Sequence, residues 1–175
     1  MDTANTLDVT DRLPDGLWNV DPGRSEIGFA VNVGRLLTVR GIFGIYQGSL
    51  HVRPSGATGE LTIEAASLDT RNRRRDRHLR SSDFFDVERH PLIVFAAEDV
   101  TMRQGALAVT GQLAIGAARL GLEIPVSVEQ GLDGMLRLEG ETTVSRAAAG
   151  MAWNWLGVIA NDARLYARLA LEPTS

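Results

Sequence analysis

The sequence predicts an all-β protein, a single antiparallel barrel interrupted once by a short helix, and three observations carry that reading. From Leu17 onward apolar and polar side chains alternate with a period of two through most segments, as half-buried strands do. Turn-forming groups recur at short spacing (Asp21-Pro22-Gly23, Pro54-Ser55-Gly56, Gln104-Gly105 and Gly131 to Gly134), so successive strands connect as hairpins. One segment, residues 71–91, breaks the pattern: RNRRRDRHLRSSDFFDVERHP holds six arginines and one aspartate in its first ten residues. A barrel is preferred to a sandwich because most strands have one apolar face and glycines recur within them. In addition, no element looks like a second packed sheet with its own long cross-connections.

Residues 1–15 are polar and acidic and read as a flexible tail, leaving 16–175 as one domain. A short strand around Trp18 and Val20 precedes the Asp21-Pro22-Gly23 turn. Ile27, Phe29, Val31 and Val33 then share one face, opposite Glu26, Gly28, Ala30 and Asn32. Residues 36–40 lead into 41–52, a long strand that Gly41, Gly44 and Gly48 are expected to bend by bulges. The Pro54–Gly56 turn opens onto 60–68. Asn72 is placed to cap a helix reaching about Arg80, its side-chain oxygen accepting an orphan N–H. That phase sets Arg73, Arg77 and Arg80 on one face, with Asp76 four residues ahead of Arg80. Ser82 is expected to cap a second turn carrying Phe84 and Phe85, so the insert covers about residues 72–86. Later strands fall near 92–102, 106–115, 120–129, 135–145 and 163–171.

The composition narrows the function. A chain of 175 residues with 44% hydrophobic and 23% charged residues can bury a core. The net charge is −4, yet residues 71–80 alone carry +5. A nucleic-acid binder is expected to be basic more broadly, so none is predicted as a partner. All 18 basic residues are arginine, which reads chiefly as codon usage in a GC-rich genome. Without cysteine there are neither disulfides nor thiolate metal sites. The first residues lack a secretory leader, and no apolar run approaches the roughly 20 residues that span a bilayer; a cytoplasmic protein without an integral membrane segment is expected.

No catalytic grammar is present: there is no Gly-x-Ser-x-Gly elbow, phosphate loop or dinucleotide fingerprint. His78 and His90 flank Asp83, Asp86 and Glu88, but their spacing matches no ligand pattern, so no metal or cofactor is predicted. His78 is instead expected to hydrogen-bond a nearby carboxylate or carbonyl and hold the insert in place. A triad built from Asp76 and His78 is rejected, because residues two apart on a helix point in different directions. Trp153 and Trp155, if extended, point the same way and either close a barrel end or rim a ligand entrance. The arginines admit three readings: a solvated helix face, a site for an anionic head group or phosphate, or a contact with RNA or a membrane surface.

At these residues the chain resembles the YceI-like family of bacterial lipid-binding proteins. The opening Trp18-Asn-Val-Asp21-Pro22, then Ser25-x-Ile27-x-Phe29-x-Val31, Val39-x-Gly41-x-Phe43 and Leu68-Asp69-Thr70 carry the likeness in order. Arg75-Asp76-x-His78-Leu79-x-Ser81-x-Asp83-Phe84-Phe85-Asp86, followed by Pro91-x-Ile93-x-Phe95, is its most diagnostic part. Val109-x-Gly111-x-Leu113-x-Ile115 and Ile124-Pro125-Val126 extend it through the later strands. The resemblance implies an extended, eight-stranded antiparallel lipocalin-like barrel, a long cavity for a polyisoprenoid (an isoprenoid quinone or pyrophosphate among them) and, loosely, a homodimer. Two departures stand out. Family members are often exported, and the commoner pattern has an aromatic before a glycine after the arginine, where this chain has Arg146-Ala147-Ala-Ala149-Gly150.

Cavity-lining residues are expected at Phe29, Val31, Val33, Phe43, Ile63, Ile93, Phe95, Leu113, Ile124, Trp153 and Trp155. Head-group contacts are expected at Arg73, Arg74 and Arg77, and Asp76, His78, Leu79, Phe84 and Phe85 are expected to anchor the lid. Binding, storage or transport of such a lipid without catalysis is the leading function. A stress-related structural protein with a filled barrel, and less so an enzyme acting on an isoprenoid lipid, are the alternatives. Alternation alone does not distinguish a hollow barrel from a packed one.

Overall fold

A computed structural model describes residues 13–154 and 157–174. The strands are β1 (Gly16–Val20), β2 (Glu26–Val33), β3 (Leu37–Phe43), β4 (Tyr46–Arg53), β5 (Gly56–Glu64), β6 (Leu68–Asp69), β7 (Leu92–Arg103), β8 (Ala106–Ile115), β9 (Ala118–Gln130), β10 (Leu136–Ser145) and β11 (Ile159–Pro173), with helix α1 (Arg73–Arg80) after β6. Every pairing is antiparallel. Eight strands close a ring in the order β1-β4-β5-β7-β8-β9-β10-β11, and β11 returns to β1. β2, β3 and β6 continue the sheet from the other half of β11. β1 with β2, and β3 with β4, are two halves of bent strands, so the barrel has eight principal strands.

Both bends have local causes. Between β1 and β2 the Asp21–Ser25 kink lies over β11: Asp21 N–H donates to the Ala170 carbonyl at 2.8 Å, and Ser25 Oγ accepts from Ala170 N at 2.9 Å. Tyr46 Oη clamps the kink by donating to the Ser25 carbonyl at 2.6 Å. Burial, with Glu26 and Asp21 nearby, raises the Tyr46 pKa above the ordinary phenol value. The second bend falls at Gly44-Ile45 and not at Gly41, where the sequence reading began a new strand. There Gly44 N bonds the Ser67 carbonyl at 3.1 Å and Ile45 N bonds Ser67 Oγ at 3.1 Å, and the chain changes partners from β2 to β1 and β5.

Gly41 stays inside β3 because the Phe29 ring lies flat over it: a Cβ there would stand 2.5 Å from a ring carbon. Gly41→Ala is expected to cost about 1–3 kcal/mol through displacement of that ring, read as a lower urea midpoint at unchanged slope.

Apolar packing divides along the barrel axis. At one end Trp18, Leu50, Val52, Ala57, Val100, Leu107, Leu136 and Leu171 form a solid floor, in which Leu136 is 0% exposed. Leu13 belongs to this floor and is buried, and Trp18 Nε1 donates to the Pro14 carbonyl at 3.2 Å, so residues 13 and 14 of the stretch read as tail pack onto the barrel. Residues 1–12 lie outside the described residues.

At the other end Phe29, Phe43 and Phe85 meet in a three-ring cluster with centroids 5.8–6.0 Å apart. The helical insert supplies Phe85. Its helix starts where the sequence placed it, with Asn72 Oδ1 accepting from Arg75 N at 3.0 Å. The following turn is closed by bonds from Phe84 N and Asp86 N to the Ser81 carbonyl, not by a Ser82 cap.

Candidate functional site

Between the floor and α1 the barrel is hollow. A cavity of about 760 Å³ runs from Leu50, Val100 and Leu171 to the helical end. Inward positions of β9 show why: Leu120, Leu122, Ile124, Val126 and Val128 alternate with exposed outward residues, yet none is fully buried. Small inward residues leave the space, among them Gly59, Ala97, Gly140, Ala163 and Ala167, with Gly140 facing Ala167 across β10 and β11. Phe29, Val31, Val33, Phe43, Ile63, Ile93, Phe95, Leu113, Ile124 and Trp153 all line the cavity. Trp155 lies outside the described residues.

The lid is tied down by a buried carboxylate. Asp76, 6% exposed, accepts from the Thr70 backbone N at 2.9 Å and from Thr70 Oγ1 at 2.5 Å. Arg75 closes the knot, its Nε and Nη2 donating to Thr70 Oγ1 and the Thr70 carbonyl, both at 2.8 Å. Arg80 donates to the Ala66 and Leu68 carbonyls at 2.8 and 2.7 Å. Two phenylalanines divide the remaining work. Phe85 enters the three-ring cluster, while Phe84 stays at the mouth with His78 and Trp153. The His78 ring stands edge-on to Trp153 at 4.5 Å and to Phe84 at 5.2 Å, and its Nε2 lies 3.1 Å from Asp83 Oδ2. Leu79 packs into the core from the helix.

Anchoring through Asp76 sets the phase of α1. At 100° per residue, Asp76 and Arg80 turn toward β6, and Arg75, His78 and Leu79 turn inward. Arg75, His78, Leu79 and, at the margin, Arg74 line the cavity; Arg73 and Arg77 fall on the solvent side and do not.

Arg146 also lines the cavity, a residue that pattern reading noted only as the arginine preceding a departure. It is 6% exposed, and its guanidinium donates to the carbonyls of Ala160 (2.7 Å), Met151 (3.0 Å), Trp153 (3.3 Å) and Ile159 (3.4 Å). Burial lowers its pKa below the usual arginine value. The Ala147–Gly150 turn beside it is tight, with Gly150 at φ 78°, and tucks Ala149 and Met151 into the core. The signal for Arg146 was its place in the inward register of β10, two residues after Val144. Among the described residues, no three His, Cys, Asp or Glu side chains gather as metal ligands.

The sequence model of the YceI-like domain matches residues 18–171, which take in the barrel and its lid. The chain belongs to the YceI-like family. A UPF0312 protein of Photorhabdus laumondii is 34% identical over 98 residues, covering 54% of this chain and 51% of that one. Protein YceI of Salmonella arizonae is 35% identical over 81 residues, covering 46% and 40%. The chain thus spans about half the length of the curated relatives it matches. Among solved structures, BcnA of Burkholderia cenocepacia superposes with a TM-score of 0.80 at 20% identity, covering 86% of this chain and 98% of that one. A polyisoprenoid-binding domain from Saccharophagus degradans, implicated in plant cell wall breakdown, gives 0.74 at 13% identity, covering 90% and 98%. YceI-like architecture therefore extends across nearly all of the described barrel. No helix of the described residues is long and apolar enough to cross a membrane.

Proposed function

We propose that this YceI-like chain binds a long-chain isoprenoid or a similar amphiphilic lipid, for storage or transport and without catalysis. The tail occupies the barrel and the head group sits at the helical end. The hollow, almost wholly apolar cavity of about 760 Å³ carries this reading, since a filled barrel would leave no such space. It falls within the range of about 300–1,000 Å³ usual for small-molecule sites. Each five-carbon unit buried gains roughly 3–4 kcal/mol at about 0.8 kcal/mol per CH₂. Three or four units offset an association cost of some 4–15 kcal/mol. The arginines of the lining, Arg74, Arg75 and Arg146, stand with His78 at the lid end, so an anionic or carbonyl head group is favoured there. Arg74, exposed at the margin, is the first contact of an arriving head group.

Native mass spectrometry of gently purified protein tests the reading: a co-purifying hydrophobic mass is expected. Ala167→Trp fills cavity space opposite Gly140 and removes room for about one isoprene unit. It should weaken uptake of an added isoprenoid by about a hundredfold or more while the thermal midpoint holds. A protein that stays empty across an isoprenoid panel, or an Ala167→Trp variant that binds as the wild type does, sinks the proposal; turnover of an added lipid would make the protein an enzyme.

A further inference from the structure

We propose that the mouth of the barrel docks on an anionic bilayer surface, with Leu36, Val158 and Trp153 set among the lipids and the lid arginines against the head groups. Large apolar side chains are exposed at few places, and four of them stand together at this end: Leu36 (100% exposed), Leu37, Trp153 and Val158. They occupy the β2–β3 turn with the first residue of β3, and the loop before β11; the turn and the loop are joined by the bond from Gly34 N to the Val158 carbonyl at 2.7 Å. Leu37 and Trp153 also line the cavity, so this exposed apolar surface adjoins the cavity lining.

The charge around this rim opposes that of the rest of the molecule. The segments that join strands at the lid end (34–36, 65–91, 116–117 and 146–158) hold nine arginines and five carboxylates, in a chain of net charge −4. Of those carboxylates Asp76 is buried, while Asp83 faces His78 and Asp86 faces Arg89. Arg73 and Arg77, which the cavity leaves unused, project on the exposed side of α1. Apolar residues ringed by arginine match the depth profile of an acidic membrane surface, acyl chains beneath anionic head groups. A second copy seated on the same face would set two arginine-rich rims against each other across a two-fold axis.

The inference goes beyond lipid binding, and its test separates the two. Wild-type protein should co-sediment with vesicles containing phosphatidylglycerol, not with phosphatidylcholine alone, and salt should release it. At about 1 kcal/mol per arginine, R73Q/R77Q should weaken partitioning about thirtyfold, and L36D/V158D should abolish it. None of these four residues lines the cavity, so isoprenoid uptake from solution should survive in both variants. Ala167→Trp should still sediment. Equal binding to charged and neutral vesicles, no binding to either, or unchanged partitioning of the variants overturns the proposal. A wild-type dimer in sedimentation equilibrium that L36D/V158D dissolves assigns the surface to a second copy and overturns it as well.

Discussion

Arg146→Met is expected to destabilise the barrel by about 3–5 kcal/mol, the usual cost of removing one side of a buried charge-assisted network. The guanidinium gathers carbonyls from Met151, Trp153, Ile159 and Ala160, which come from both sides of the 155–156 segment. Methionine fills much of the volume but offers no donor, so those carbonyls either stay unpaired or pull the loop open to water. Arg146→Lys should recover less than half of the loss, because a compact ammonium cannot spread its donors across four acceptors as a planar fork does. Equilibrium urea unfolding checks both variants. A methionine variant within about 0.5 kcal/mol of wild type would mean that water already satisfies these carbonyls.

The second large effect lies in the lid. Asp76→Ala should cost about 2–4 kcal/mol, because it leaves the buried Thr70 N–H without its acceptor and the Thr70 hydroxyl without its strong partner. Arg75, which donates directly to the Thr70 hydroxyl and carbonyl, is then the remaining side-chain tie between the helix and Thr70. The distinguishing readout is local: amide exchange in α1 should accelerate far more than exchange in β8, β9 and β10. Asp76→Asn keeps an acceptor of the same shape and should fall between alanine and wild type. Uniformly raised exchange through all strands would show that the knot supports the whole barrel and not the lid alone.

Much of this architecture was legible in the residues. Alternation from Leu17 onward reported the strands, and Asn72 reported the start of α1, because both depend on local stereochemistry. The hollowness was not legible from alternation, since an inward Val31 or Leu113 is apolar whether it meets another side chain or empty space. A fainter signal was present in the small inward residues Gly59, Ala97, Gly140 and Ala167. The direction in which the helix presents its arginines was hidden for a related reason. Spacing does put Arg73, Arg77 and Arg80 on one face, but it does not say where that face points, whereas the lone aspartate decides the rotation. A buried carboxylate among six cations must meet hydrogen-bond donors, and Thr70 supplies them through its N–H and its hydroxyl. Arg146 was hard to read because its four acceptors are carbonyls of residues that pattern marks only as loop.

The floor of Trp18, Leu50, Val100, Leu136 and Leu171 gives the barrel a blind end. Any occupant must then enter and leave by the same door, tail first on the way in and head first on the way out. The depth from lid to floor acts as a ruler: a tail shorter than this depth lies fully sheathed, and a longer one must double back or trail outside. Selection by length would thus reside in the residues that set the bottom of the well, far from any that could touch a head group.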